Sequence, residues 1–195
     1  MSFSRTLLDW FATNQRDLPW RKESDPYKIW VSEIILQQTR VVQGISYYHN
    51  FIAHFATVSA LATASEEEVL KVWQGLGYYS RARNMHAAAK SILLNFNGIF
   101  PKDYSHIRQL KGVGDYTAAA VASIAYNLKY AAVDGNVLRF VTRYAGIFDN
   151  IALNATRKEV ESWCYSHMPA DEAGAFNQAM MEMGATICTP SNPGC

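Results

Sequence analysis

The amino-acid sequence predicts an all-α protein, and three observations support this. Apolar residues recur at helical spacing along most of the 195 residues. No stretch alternates apolar and polar residues over the length of a useful strand. Prolines fall between the apolar stripes, where a missing N–H is harmless, at Pro26, Pro101, Pro169 and Pro190. Because 49% of the residues are hydrophobic, the chain can build one large core or two small ones.

The apolar stripes place the helices in order. The first stripe begins around Leu7 and ends near Asn14. The later stripes cover residues 28–40, 44–55, 66–74, 80–95, 104–110, 115–127, 135–145, 155–167 and 171–185. Ser65 stands before three glutamates, so it is predicted to cap the helix that follows. Asn154 or Thr156 is predicted to do the same for the helix near residue 155.

Charge and cysteine content limit the classes of protein. A net charge of +1 at pH 7 excludes a strongly basic surface, so any nucleic-acid binding depends on local clusters of arginine and lysine. The first residues are polar and no apolar run approaches the roughly 20 residues of a membrane span. We therefore expect an intracellular protein without a membrane partner. The three cysteines include no C-x-x-C pair, which argues against a secreted disulfide framework.

A glycine-punctuated turn precedes the alanine-rich stripe. Gly112 and Gly114 lack a Cβ atom, so the chain can reverse tightly and another backbone can approach. The helix expected from about Asp115 to Asn127 begins with unpaired N–H groups and the positive end of its dipole, which together can hold a phosphate. The alternative is a plain connection between two helices.

Two carboxyl groups stand in apolar stretches. Glu33 lies between Trp30 and Leu36, and Asp134 follows Ala131-Ala-Val133. A carboxyl group in apolar surroundings holds its proton more tightly, so it can act as an acid near neutral pH. The alternatives are a solvent-facing helix residue for Glu33 and a helix cap for Asp134.

Two further segments suit contact with nucleic-acid bases. Gln37 and Gln38 follow Glu33 by about one turn and can reach base edges, although such residues more often lie at the surface. The segment from Trp73 to Asn84 interleaves glycines, tyrosines and arginines, a combination typical of loops that stack on bases and hold phosphates. Its alternative interpretation is an aromatic turn in the core.

In this order, the segments resemble the adenine DNA glycosylase (MutY-like) family of the helix-hairpin-helix DNA glycosylase superfamily. The resemblance covers essentially the whole chain, through RDLPWR, WVSEIILQQTR, GLGYYSRARN, KGVGDYTA, VDGNV and FNQAMMEMGATICT. It implies two helical lobes with the active cleft between them. One lobe is a six-helix barrel over residues 24–130 with the helix-hairpin-helix at about 104–127; the other combines residues 1–23 and 131–195.

The resemblance implies a monofunctional N-glycosylase of base excision repair. Its substrate would be double-stranded DNA in which adenine opposes 8-oxoguanine or guanine, and the adenine would be flipped out before hydrolysis. The resemblance assigns Glu33 as the acid that protonates adenine, Asp134 as the carboxylate that stabilises the sugar cation, and Tyr116 as support for the Asp134 region. We expect a monomer, in the cytoplasm of a bacterium or the nucleus of a eukaryote.

The resemblance also assigns binding residues. The adenine pocket is expected to be lined by Trp20, Arg21 and Gln178. The expected DNA contacts are Gln38, Leu76, Tyr78, Arg81, Lys111, Gly112, Val113 and Gly114.

One position separates the close relatives. Bifunctional members similar to endonuclease III carry a nucleophilic lysine two residues after the GVG of the hairpin, where this chain has Tyr116, and a phenol cannot form a Schiff base. The alternatives are therefore such a glycosylase/AP lyase or a non-catalytic DNA-binding module. A lysine that some adenine glycosylases place four residues after the catalytic aspartate is Leu138 here.

The end of the sequence departs from the family pattern. The family binds a [4Fe–4S] cluster through a C-x6-C-x2-C-x5-C run, and Cys188 and Cys195 match its first two ligands only. The resemblance therefore implies a cluster in the intact protein and an incomplete site in this chain. We expect the chain to be a fragment of a longer enzyme.

Overall fold

The computed structural model describes residues 2–195 and folds them into α-helices joined by short loops. No residue in that range lies in a strand, so the all-α prediction is confirmed. None of these helices is both long and apolar enough to cross a membrane. The helices are α1 (Phe3–Asn14), α2 (Pro26–Leu36), α3 (Val41–His54), α4 (Val58–Thr63), α5 (Glu66–Val72), α6 (Ser80–Phe96), α7 (Tyr104–Gln109), α8 (Asp115–Tyr126), α9 (Gly135–Ala145), α10 (Asn154–His167) and α11 (Ala173–Thr186).

The helix ends show which caps and helices the sequence pattern predicted correctly. Ser65 forms a capping box: its hydroxyl accepts the Glu68 N–H at 3.2 Å, and the Glu68 carboxylate accepts the Ser65 N–H at 2.7 Å. The predicted cap of α10 was wrong, because Leu153 occupies the N-cap position and Thr156 donates its hydroxyl to the Asn150 carbonyl at 2.9 Å. Helix α4 was missed, since six residues are too short to display a helical period.

The chain divides into two compact units. The central unit comprises Leu18–Val121, and the terminal unit comprises Met1–Asp17 with Ala122–Cys195. The boundaries expected from the sequence follow residues 23 and 130, whereas the observed divisions follow Asp17 and Val121.

Helix α2 lies in the core of the central unit. It is buried on nearly every side, as expected for a helix that is apolar all round, and Trp30 and Val31 have no exposed surface. A Cβ atom on Gly44 would lie 2.9 Å from Leu36 Cδ2, so a glycine there lets α3 approach α2 closely. Glu33 therefore belongs to a helix with little solvent-exposed surface.

Helices α1, α9, α10 and α11 build the terminal unit around a single apolar core that includes Val141, Phe176 and Met180. Asn177 is buried and ties the chain before α9 to α11. Its amide donates to the Ser123 hydroxyl and the Tyr130 carbonyl at 2.8 Å each. Its carbonyl oxygen accepts the Ala132 N–H at 3.1 Å, so Asn177 satisfies its buried amide within the terminal unit.

Gly184 lets α11 approach the start of α9. A Cβ atom at Gly184 would lie 2.5 Å from the Asn136 carbonyl oxygen, which is backbone and cannot turn aside. We expect Gly184→Ala to destabilise the protein by about 1–3 kcal/mol, the usual cost of overpacking, and to lower its melting temperature in calorimetry. Gly135→Ala is the matched control, because no atom lies within 4 Å of its added Cβ. Equal melting temperatures for the two variants would contradict the close approach.

Candidate active site

Glu33 lies in the middle of α2 and is only 9% exposed. The residues beside it, Ser32 and Ile34, are buried as well. A solvent-facing helix carboxylate is therefore the wrong interpretation of this position. Glu33 is thus a buried carboxyl group on an apolar helix.

Asp134 is the N-cap of α9. Its Oδ1 accepts the Val137 N–H at 2.8 Å, and its Oδ2 accepts the Asn136 side-chain amide at 2.8 Å. Burial raises the pKa of Asp134, while these hydrogen bonds and the charge of Arg139 act in the opposite direction. The carboxylate is thus held in a fixed orientation in a poorly solvated place.

The sequence interpretation missed the residues that surround Asp134. Arg139 donates to the Asn136 side-chain oxygen at 2.9 Å and to the Gly184 carbonyl at 2.6 Å. Its Nε donates to the Cys188 carbonyl at 2.8 Å. These bonds fix the Asn136 amide that holds Asp134. The Asp-x-Asn spacing was visible in the sequence, but the partners of Arg139 lie far along the chain.

The hairpin between α7 and α8 has the tight reversal that was predicted at Gly112. The prediction was wrong for Gly114, which has no positive φ and no atom within 4 Å of an added Cβ. Gly112 adopts φ 79°, where glycine is favoured, and an added Cβ would lie 2.7 Å from Asn84 Cβ. The Ala118 N–H donates to the Gly114 carbonyl at 2.9 Å, so α8 begins at this glycine. Within the turn, the Val113 N–H donates to the Leu110 carbonyl at 3.0 Å.

The predicted hairpin contacts differ in exposure. Lys111, Gly112 and Gly114 are exposed, but the Val113 side chain is buried. The Val113 N–H and carbonyl group also have partners within the hairpin, so Val113 does not present a free polar group. The guanidinium of Arg108, on α7, binds within the hairpin. It donates to the Val113 carbonyl at 3.0 Å and to the Asp115 carboxylate at 2.5 Å.

Two loops of the central unit carry the remaining predicted DNA contacts. Gln38 follows the end of α2, is exposed and has φ 58°. Tyr78 precedes α6, is 64% exposed and has φ 46°. Leu76 is buried, so its side chain packs within the unit. Gln38 and Tyr78 are thus the two predicted contacts whose side chains are presented to solvent from strained backbone.

Arg81 departs from the expectation of a phosphate-binding arginine. Its side chain is buried and donates to carbonyl groups of the protein, among them those of Ile34 and Ile35 at 3.0 and 2.9 Å. The sequence could not show this, because those carbonyl groups lie more than forty positions earlier in the chain.

The predicted adenine-pocket residues belong to both units. In the central unit, Trp20 is buried edge-on against Tyr48, with ring centroids 5.5 Å apart, and Arg21 is half-buried. In the terminal unit, Gln178 is half-buried on α11. Tyr116 is half-buried in the first turn of α8.

Comparisons with known proteins agree with this geometry. Residues 31–166 match the model of the HhH-GPD superfamily base excision DNA repair protein. The chain belongs to the HhH-GPD superfamily. The predicted membership of the helix-hairpin-helix glycosylase superfamily is therefore confirmed.

Individual superfamily members are similar over nearly the whole chain. An adenine DNA glycosylase of Buchnera aphidicola subsp. Acyrthosiphon pisum (strain APS) is 41% identical over 194 residues, which cover 99% of this chain and 55% of that protein. A solved thermostable thymine-DNA glycosylase is 30% identical with a TM-score of 0.88, covering 98% of this chain and 88% of that one. An endonuclease III–DNA complex has a TM-score of 0.81 at 22% identity, covering 98% and 87%, which shows the shared fold. The chain spans about half the length of the curated relatives it matches.

The cysteines present do not complete the iron-sulfur site of HhH-GPD relatives. Cys188 is buried after α11 and Cys195 is exposed, and a [4Fe–4S] cluster needs four thiolates. Burial raises the pKa of the Cys164 thiol to about 12, so this core cysteine is poorly suited to supply a third thiolate. Within residues 2–195, no three candidate ligands lie together.

Proposed function

We propose that the protein is a monofunctional adenine DNA glycosylase that acts on double-stranded DNA in which adenine opposes 8-oxoguanine or guanine. The observation that carries the proposal is the pair of carboxyl groups held in different environments, Glu33 within an apolar helix and Asp134 hydrogen-bonded at a helix start. The similarity to curated adenine DNA glycosylases supports the choice of base. We further propose that the protein acts as a monomer.

Glu33 supplies the proton in this mechanism. Adenine is a poor leaving group unless its ring is protonated, so an acid must deliver a proton as the C–N bond breaks. A buried glutamic acid is suited to this step because burial disfavours its carboxylate.

Asp134 acts on the sugar. Breaking the C–N bond leaves positive charge on the deoxyribose, which a nearby carboxylate stabilises. Water then adds to the anomeric carbon and loses a proton, so that the products are free adenine and an abasic site. The hydrogen bonds from Val137 and Asn136 keep the carboxylate from turning away as the cation develops.

DNA is proposed to meet the exposed hairpin and the loops of Gln38 and Tyr78. Backbone N–H groups at the start of α8 suit one phosphate. Tyr78 can stack on a base and Gln38 can fill the space that the flipped adenine leaves, which offsets part of the few kcal/mol that flipping costs. A cluster near Cys188 would need two thiolates besides those of Cys188 and Cys195, and the proposed mechanism does not depend on a cluster.

A base-release assay tests the proposal. We expect free adenine from a duplex with adenine opposite 8-oxoguanine, and strand cleavage only after alkali. A duplex with thymine opposite guanine is the control, because a solved relative is a thymine-DNA glycosylase. Thymine release without adenine release would overturn the choice of base. Binding without release of either would leave a DNA-binding module.

Tyr116→Lys is expected to confer weak strand-nicking activity. It places an amine where bifunctional relatives carry theirs, and an amine can form a Schiff base with the sugar of an abasic site. The measurement is borohydride trapping of a covalent complex on a duplex with a preformed abasic site. Wild-type protein is the control, because its hairpin already carries an exposed amine, that of Lys111, against which any added adduct must be measured. A folded variant that gives no more adduct than wild type would refute the assigned position of Tyr116.

A further inference from the structure

Arg81 is a buried cation without an acidic partner. It lies in the first turn of α6 and is 9% exposed, and no carboxylate in residues 2–195 pairs with it. Its charge faces carbonyl oxygens and the aromatic rings of Trp73 and Tyr78, whose centroids lie 5.2 and 5.6 Å from its Cζ. An arrangement of this kind costs desolvation, so it calls for an explanation.

The first set of contacts closes the end of α2. The Arg81 Nη1 group donates to the carbonyl oxygens of Ile34 at 3.0 Å, Ile35 at 2.9 Å and Gln37. The last carbonyl groups of a helix lack partners within the helix, and a cation near them also meets the negative end of the dipole. Arg81 therefore fixes where α2 stops and how the chain turns into Gln38.

The second set of contacts holds the chain just before α6. The Arg81 Nη2 group lies 3.4 Å from the carbonyl oxygens of Leu76 and Gly77. These residues lead directly into Tyr78, whose ring lies over the same guanidinium. One side chain thus joins the loop at 37–39, the glutamine loop, to the loop at 76–78, the tyrosine loop.

Each loop contains a non-glycine residue in the left-handed region of φ. The values are 58° for Gln38 and 46° for Tyr78. Such residues are uncommon and persist only where the surroundings over-determine the backbone. Gln38 and Tyr78 are also the residues whose exposed side chains are expected to enter DNA. The strained backbone of each loop therefore serves to direct that side chain.

We propose that Arg81 is a positioning residue that locks the glutamine and tyrosine loops together in the conformation that enters DNA. This inference rests on the proposed function for its purpose, but the lock itself is a property of the free protein. Lysine cannot replace it, because a single ammonium group lacks the planar fork that reaches several carbonyl groups at once.

Hydrogen exchange in the free protein tests the lock without DNA. In Arg81→Lys, we expect amides of the glutamine and tyrosine loops to exchange at least about tenfold faster, while amides of α3 and α6 keep their protection. Arg83→Lys is the matched control, since Arg83 lies two residues on, is exposed and pairs with Glu66 at 3.1 Å. Unchanged exchange in both loops would overturn the proposal, whatever the outcome for adenine release.

Coupling to the loops separates positioning from general stabilisation. In single-turnover adenine release, Arg81→Lys is expected to lower the rate by about 10- to 100-fold in wild type and much less in a Gln38→Ala/Tyr78→Ala background. Equal losses in both backgrounds would overturn the proposal. If the lysine variant does not fold, Arg81→Gln replaces it in both experiments, since its side-chain amide can still donate hydrogen bonds to carbonyl groups. Unfolding of both variants would show a general core role and would also overturn it.

Discussion

Replacing Glu33 by glutamine is expected to lower the single-turnover rate of adenine release by about 10²-fold or more, the usual scale for the loss of a general acid. Glutamine keeps the size and the hydrogen-bonding capacity of the side chain but carries no proton for the base. The side chain is buried in α2, so a neutral amide does not add a desolvation cost. Binding to a duplex with adenine opposite 8-oxoguanine should persist.

Glu67→Gln provides the control for Glu33→Gln. Glu67 is exposed in the first turn of α5, so Glu67→Gln makes the same change of a carboxyl group to an amide away from α2. Rates and mismatch affinities would be measured for both variants under the same salt concentration, since DNA affinity depends strongly on salt. A rate for Glu33→Gln equal to that of wild type would remove Glu33 from the mechanism.

The sequence predicted the helices well because burial imposes a period on each of them. The stripe over 135–145 coincides with α9, whose core face includes Val137 and Val141. Helix α4 has no such repeat in six residues, and α2 ended earlier than its stripe suggested. The turn after Leu36 depends on the guanidinium of Arg81, a partner that no local pattern reveals.

The candidate site was predictable where a single residue contrasts with its neighbours. A carboxyl group within apolar sequence indicated the burial of Glu33, and glycine spacing indicated the hairpin at Gly112. Only part of the environment of Asp134 could be predicted from the sequence. Its helix start could be predicted from the apolar stripe over 135–145, but Arg139 and Gly184 meet through packing of α9 on α11, which local sequence does not encode.

Asp134→Asn separates catalysis from capping. Asparagine caps helices as well as aspartate does, so the Val137 N–H keeps its acceptor and the fold should persist. Because burial raises the Asp134 pKa above its ordinary value of 3.8, its ionised form is disfavoured in the folded state. This side chain therefore favours folding most below its unfolded pKa, and that advantage is lost as the pH rises through the folded pKa. At neutral pH the variant loses the hydrogen bond from the Asn136 amide but also the disfavoured buried charge, so Asp134→Asn should melt close to wild type.

The rate of adenine release, unlike the melting temperature, should fall sharply in Asp134→Asn. Asp134→Asn removes the charge that faces the developing cation, and we expect a loss of about 10²- to 10³-fold in single-turnover rate. In wild type, the rate should rise with pH through the raised pKa of Asp134, so an acidic limb should lie above pH 3.8 and be absent from the variant. Asp149→Asn, an exposed aspartate of the same unit, is the control. An Asp134→Asn variant that melts normally and still releases adenine at the wild-type rate would leave Asp134 with a capping role alone.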